Sequence, residues 1–62
     1  MIEFISGLLH VKKTNYIIVN VNGIGYKIFI SLNTYEKLGK INEKIHIDTF
    51  FHINEKSQNL YG

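Results

Sequence analysis

The dipeptide Asn22-Gly23 constrains this chain more than any other feature. Both central residues of a type I′ turn need positive φ, and asparagine followed by glycine adopts it at least cost. A β-branched, apolar-rich run lies on either side, so two antiparallel strands are expected to meet here. On the first, Ile17, Val19 and Val21 share one face, and Tyr16, Ile18 and Asn20 the other. On the second, residues 24–30, the side chains of Ile24, Tyr26, Ile28 and Ile30 point one way and those of Lys27 and Phe29 the other. Such alternation fits a sheet with one face on a core and one nearer solvent. Gly25, just past the turn, is expected to mark a bulge or a close backbone approach. The stretch from Val19 to Tyr26 is expected to build the core and fix register rather than to carry out catalysis.

The remaining segments follow from that register. Residues 2–11 read as a long first strand with Ile2, Phe4 and Leu8 on one face and Ile5, Leu9 and Val11 on the other. Apolar groups on both faces imply burial on both sides or a strand that bends midway. Gly7 sits at the midpoint, where a strand can curl from one sheet into another. Residues 12–15 form a polar turn. Beyond residue 30 the period changes. Asn33-Thr34-Tyr35-Glu36 has the form of a capping box, with Asn33 as N-cap and Glu36 at N3. Tyr35 and Leu38 then face inward together, and Gly39 ends one or two turns of helix.

Residues 43–53 read as one long fourth strand. Ile45, Ile47, Phe51 and Ile53 fall on its inner face with Thr49 among them; Lys44, His46, Asp48, Phe50 and His52 fall outside. Residues 54–57 make a tight connection to a short last strand, Gln58–Tyr61. The expected fold is all-β with a small helical insert. Five strands with a bent first strand match the partly open Greek-key barrel called the OB-fold. A small SH3-like barrel is the alternative.

Composition limits what such a chain can do. Its 62 residues make one small domain, which buries only about 60% of its unfolded surface and is marginal in stability. There is no cysteine, hence no disulfide and no thiolate zinc site, which fits a reducing compartment. No apolar run approaches the roughly 20 residues that span a bilayer, and the opening Met1-Ile2-Glu3-Phe4 has no basic region of a secretory signal. A net charge of +2, from seven lysines and no arginine, is too weak to announce nucleic acid by itself. The chain ends at Gly62 directly after a strand, without a stop signal. It is therefore read as a fragment of a longer protein.

His46 and His52 share a strand face, but six residues of extended chain separate them by roughly 20 Å. His10 would have to meet one of them by folding, and no thiol or carboxylate completes a metal set. Neither metal nor cofactor is expected. Glu3, Glu36, Glu43, Asp48 and Glu55 form no pair at acid/base distance by local spacing. Ser6, Ser31 and Ser57 lie in no nucleophile motif, and Gly23-Ile24-Gly25 is too short for a phosphate loop. The chain on its own is not expected to be an enzyme. Nucleic-acid binding remains open. OB-folds often bind through the face of strands two and three and the flanking loops. Here that means Tyr16, Asn20, Lys27 and Phe29, with Lys12-Lys13 and Glu55-Lys56 in the loops. Tyr16 and Phe29 either stack bases or pack against a neighbouring domain or subunit.

Several residues together carry a family resemblance. They are the opening Met1-Ile2 with Gly7, the run from Val21 to Tyr26 ending Gly-Ile-Gly-Tyr, the strand around Phe51, and the terminal Leu60-Tyr61-Gly62. On these the chain resembles the N-terminal domain of RuvA, the Holliday-junction-binding subunit of the bacterial RuvAB branch-migration complex. The spacing holds without gaps across all 62 residues. The resemblance implies that residues 1–62 are the OB-fold first domain of a three-domain cytoplasmic protein acting in recombination, repair and the SOS response. It implies a homotetramer holding four-way junction DNA, with most phosphate contacts made by a following helix-hairpin-helix domain. A third domain would engage the RuvB motor, which hydrolyses ATP; the subunit itself would be non-catalytic. The family places two adjacent acids in a pin loop before the last strand, at the tetramer centre. Glu55 matches the first; Lys56 stands where the second is expected and makes the pin nearly neutral, unless this is only a solvated turn. Lys12, Lys13 and Phe50 are the other expected DNA or interface contacts. A generic OB module for single strands or a protein partner is the alternative function.

Overall fold

The computed structural model describes residues 2–53, 56 and 58–62. Asn22 and Gly23 take φ of 53° and 90° between the paired residues Val21 and Ile24, as a type I′ turn demands. The Asn20 side-chain carbonyl accepts from the Gly23 N–H at 2.8 Å and closes the turn. The hairpin strands are β2 (Tyr16–Val21) and β3 (Ile24–Phe29). Gly25 lies opposite Asn20 in unbroken register, so it makes no bulge. A Cβ there would meet a side chain, that of Ile18 at 3.2 Å, and no backbone atom, so the expected close backbone approach is absent at Gly25 as well.

The bulge falls in β1 (Phe4–Lys12) instead. Leu9 opposes Val19 and Val11 opposes Ile18, which leaves His10 as the extra residue. The question of two apolar faces resolves against double burial. Ile5 and Leu9 enter the core, while Phe4 and Leu8 on the opposite face stay exposed. The strand changes partners midway, near Gly7, but stays within one sheet rather than passing from one sheet to another. It pairs with β4 (Lys44–Asp48) along Phe4 to Leu8 and with β2 from Leu8 onward.

Two expectations need correction. Helix α1 (Leu32–Lys37) is capped by Ser31, whose Oγ accepts from the Thr34 N–H at 3.2 Å. Asn33 therefore lies inside the helix and Glu36 near its end. The hydroxyl directly after β3 reaches the first free N–H groups before Asn33 can. Leu38 takes the C-cap and Gly39 follows it, without positive φ.

The long fourth strand is two strands. It breaks at Thr49 into β4 and β5 (Phe50–Ile53), and with β6 (Gln58–Tyr61) the described residues form six strands rather than five. At the break the Thr49 N–H donates to the Glu3 carbonyl at 2.8 Å. Its Oγ1 donates to the Ile2 carbonyl at 3.1 Å. These bonds hold the end of β4 to β1 while the chain turns away to pair with β6. Ile53, expected inside, is 60% exposed as a result.

The sheet runs β4-β1-β2-β3-β6-β5 and curls into a half-barrel. Every pair is antiparallel except β3 with β6. Its inner face holds Ile5, Leu9, Ile17, Val19, Ile28, Ile47 and Leu60, with Tyr26, Leu38, Ile45 and Phe51 packed against them. Among the described residues no helix is long and apolar enough to cross a membrane.

Candidate nucleic-acid interface

The outer face of four adjacent strands presents a row of rings. Tyr16 on β2 is paired with Phe29 on β3. Phe29 is paired with Tyr61 on β6, and Tyr61 with Phe50 on β5. Directly paired residues share a face of the sheet, and in every case the neighbour in sequence (Ile17, Ile28, Leu60, Phe51) faces the core. The Phe29 and Tyr61 rings lie 5.7 Å apart, tilted by 33°. His52, two residues along the same face, stacks on Phe50 at 6.4 Å. The ladder is open to solvent at its far end, with Tyr61 42% and Phe50 66% exposed.

Lys27 supplies the charge on this face. Its ammonium sits 4.6 Å from the Tyr16 ring centroid and 5.2 Å from that of Phe29. Asn20, the fourth residue expected on the binding face, is engaged in the turn through its side-chain carbonyl. At one end of the ladder an open groove of about 530 Å³ is lined by Phe29 and Tyr61, with Asn15, Ser31 and Asn59 at its polar rim.

The other expected site residues are dispersed. Lys12 is half-buried and turned to the end of α1. Its ammonium donates to the Gly39 carbonyl at 3.1 Å and lies 4.7 Å from the Tyr35 ring. A cation there complements the free carbonyls of a helix end. Lys13 is exposed at the start of the β1–β2 turn, with its backbone N–H bonded to the Tyr16 carbonyl. Lys56 is exposed; Glu55 lies outside the described residues. Phe50 belongs to the ring ladder. His46 is apart from it, stacked on Phe4 at 4.8 Å and 3.6 Å from the Asp48 carboxylate. Among the described residues no three metal-ligating side chains come together.

Residue-by-residue reading found Tyr16, Lys27 and Phe29, which one hairpin brings together. It missed Tyr61 and His52 as members of the same surface. They join only through the parallel pairing of β3 with β6, which no local pattern encodes.

The comparisons with known proteins agree across the whole chain. Residues 1–62 match the family model described as the RuvA N-terminal domain. The chain is 40% identical over 62 residues to the Holliday junction branch migration complex subunit RuvA of Francisella tularensis subsp. novicida. It is 37% identical to the subunit of that name from Acetivibrio thermocellus and 36% to that from Salinibacter ruber. Each match covers 100% of this chain but only 29% of the Francisella relative and 31% of the other two.

Proposed function

The chain belongs to the RuvA N-terminal domain family, and from that premise we propose that it is the first domain of a subunit that binds four-way DNA junctions for branch migration. The observation that carries this reading is the collinear match over every residue from 1 to 62. The strand order supports it. Counting β4 and β5 as one strand bent at Thr49, the order β4-β1-β2-β3-β6-β5 returns on itself through five strands. That order supports reading the half-barrel as an OB-fold. The domain is a scaffold rather than a catalyst. The remaining two-thirds or so of such a subunit would supply the main phosphate contacts and the link to a RuvB-type ATPase in the bacterial cytoplasm. Exposed Phe4, Leu8 and Ile24 offer apolar surface for those domains or for a homotetramer.

Within this reading, Glu55-Lys56 falls in the sequence between β5 and β6, whose last described pair is Ile53 with Gln58. The loop's opposite charges cancel, so the junction centre is repelled weakly. Two unit charges about 10 Å apart in water interact by only about 0.4 kcal/mol, so several must act together. Lys56→Asp changes the loop by two charges per chain. In the full-length protein at low salt it is expected to raise the preference for junction over linear duplex about two- to tenfold. An unchanged ratio of junction to duplex affinity, with an unchanged migration rate, would remove the loop from the mechanism.

A further inference from the structure

We infer that the outer face of β2, β3, β6 and β5 is a stacking platform for the unpaired bases of single-stranded nucleic acid. This goes beyond the junction reading and does not depend on it, because it concerns exposed base faces rather than the phosphates of intact arms. Four rings in register, Tyr16, Phe29, Tyr61 and Phe50, cross three strand spacings, about 15 Å in all. A sheet face of that breadth accommodates two or three stacked bases. Every base has a π-face, so rings on a sheet accept single strands with little regard for sequence.

Charge argues for a polyanion over an apolar protein partner. The four strands that carry the rings contain no aspartate or glutamate. The Lys27 ammonium lies within about one ring's reach of two of the rings, where it can meet a phosphate next to a stacked base. The groove beside Phe29 and Tyr61 adds amide and hydroxyl groups from Asn15, Ser31 and Asn59. Phe50, at the far end of the ladder, also lines a second groove that carries the carboxylates of Glu3 and Asp48, so a bound strand is expected to run its phosphates past Lys27 and away from that end. Duplex DNA, whose base faces are stacked on one another, offers these rings nothing.

The chain is titrated with an oligothymidine of roughly eight nucleotides, within the span one small barrel covers, and with a duplex of equal length. Aromatic NMR resonances, tyrosine fluorescence and sedimentation are followed at low salt. The expected result is movement of the Tyr16, Phe29, Tyr61, Phe50 and His52 ring signals by the single strand and not by the duplex. Phe50→Ser, at a position 66% exposed and with unchanged far-ultraviolet circular dichroism as its control, should weaken binding about 5- to 100-fold. Lys27→Gln should lower the salt slope of the affinity by about 0.7. Absent ring shifts at millimolar oligonucleotide would overturn the inference. So would shifts confined to Lys12 and Lys13, equal binding by duplex, or unchanged affinity in Phe50→Ser. Self-association through this face, abolished by Phe50→Ser, would assign it to a second copy of the chain instead. A full-length protein that binds junctions but not oligothymidine would sink this inference alone, and the opposite pattern would sink the junction reading alone.

Discussion

Replacing Gly7 with alanine tests the point where β1 exchanges one partner for another. Leu8, the next residue, is paired both with Lys44 of β4 and with Asn20 of β2. The two neighbouring strands therefore converge on Gly7. A Cβ built there would lie 2.5 Å from the Asn20 carbonyl oxygen, 3.0 Å from Val21 Cγ2 and 3.1 Å from Val19 Cγ1. The first contact is the decisive one, because a backbone oxygen cannot rotate aside. Asn20 is itself held on both sides, opposite Leu8 and opposite Gly25. Relief requires β1 and β2 to separate at the centre of the sheet, next to the fully buried Leu9 and Val19. Overpacking of this kind costs about 1–3 kcal/mol. Removing a glycine from the unfolded chain returns about 0.4–1 kcal/mol, so the net loss is about 1–2 kcal/mol. A chain of this length has roughly 3–9 kcal/mol in total, and each kcal/mol moves the melting temperature by about 4–8 °C. Gly7→Ala should therefore melt roughly 5–15 °C below the parent. The control is Gly39→Ala, where the obstructing atoms belong to the Glu43 carboxylate, the free end of an exposed side chain. That variant should match the parent or slightly exceed it. Urea unfolding followed by far-ultraviolet circular dichroism and tyrosine fluorescence measures both. Equal stability of the two variants would refute the argument from a fixed backbone oxygen.

Two further substitutions separate the observed local structure from the expected one. Ser31→Ala removes the cap of α1 and should cost about 0.5–2 kcal/mol, whereas Asn33→Ala should be near neutral; the reverse ranking in urea unfolding would restore Asn33 as the cap. Thr49→Val keeps the shape of the side chain but deletes the Oγ1–H donated to the Ile2 carbonyl. It should cost about 1 kcal/mol, with hydrogen exchange accelerated first around residues 2–5, and uniform acceleration over the whole sheet would contradict a local hinge.

The sequence made some of this fold legible because the relevant forces act over a few residues. A type I′ turn depends on two φ angles, and Asn22-Gly23 states both. Alternation in β2 and β3 depends on a period of two, and it predicted the burial of Ile17, Val19 and Ile28 correctly. Apolar groups on both faces of β1 flagged its change of partner near Gly7, though not the bulge at His10. The break at Thr49 was not legible. Residues 43–53 keep their alternation through it, and what bends the chain is a pair of bonds to the carbonyls of Ile2 and Glu3, nearly fifty residues away. The cap failed for a different reason. Ser31 and Asn33 are both good caps, and the choice fell to the residue nearer the end of β3, which pattern reading cannot rank.

The same distinction explains how much of the candidate site could be foreseen. A hairpin brings its own residues together, so Tyr16, Lys27 and Phe29 were found from spacing alone. Their outward direction followed from the inward direction of Ile17 and Ile28. Phe50 stood out as an aromatic in an otherwise polar row, but its reason for being there depends on Tyr61. Tyr61 in turn reaches Phe29 only because β6 returns parallel to β3, after a helix and two strands have intervened. Each half of the ladder taken alone is a ring or two on a strand face, which any sheet can carry. Joined in register across four strands that contain no carboxylate, the rings form a surface with one chemical preference. The topology that assembles them is also what fixes that preference, so a change that unpairs β6 from β3 should abolish base stacking before it unfolds the β2–β3 hairpin.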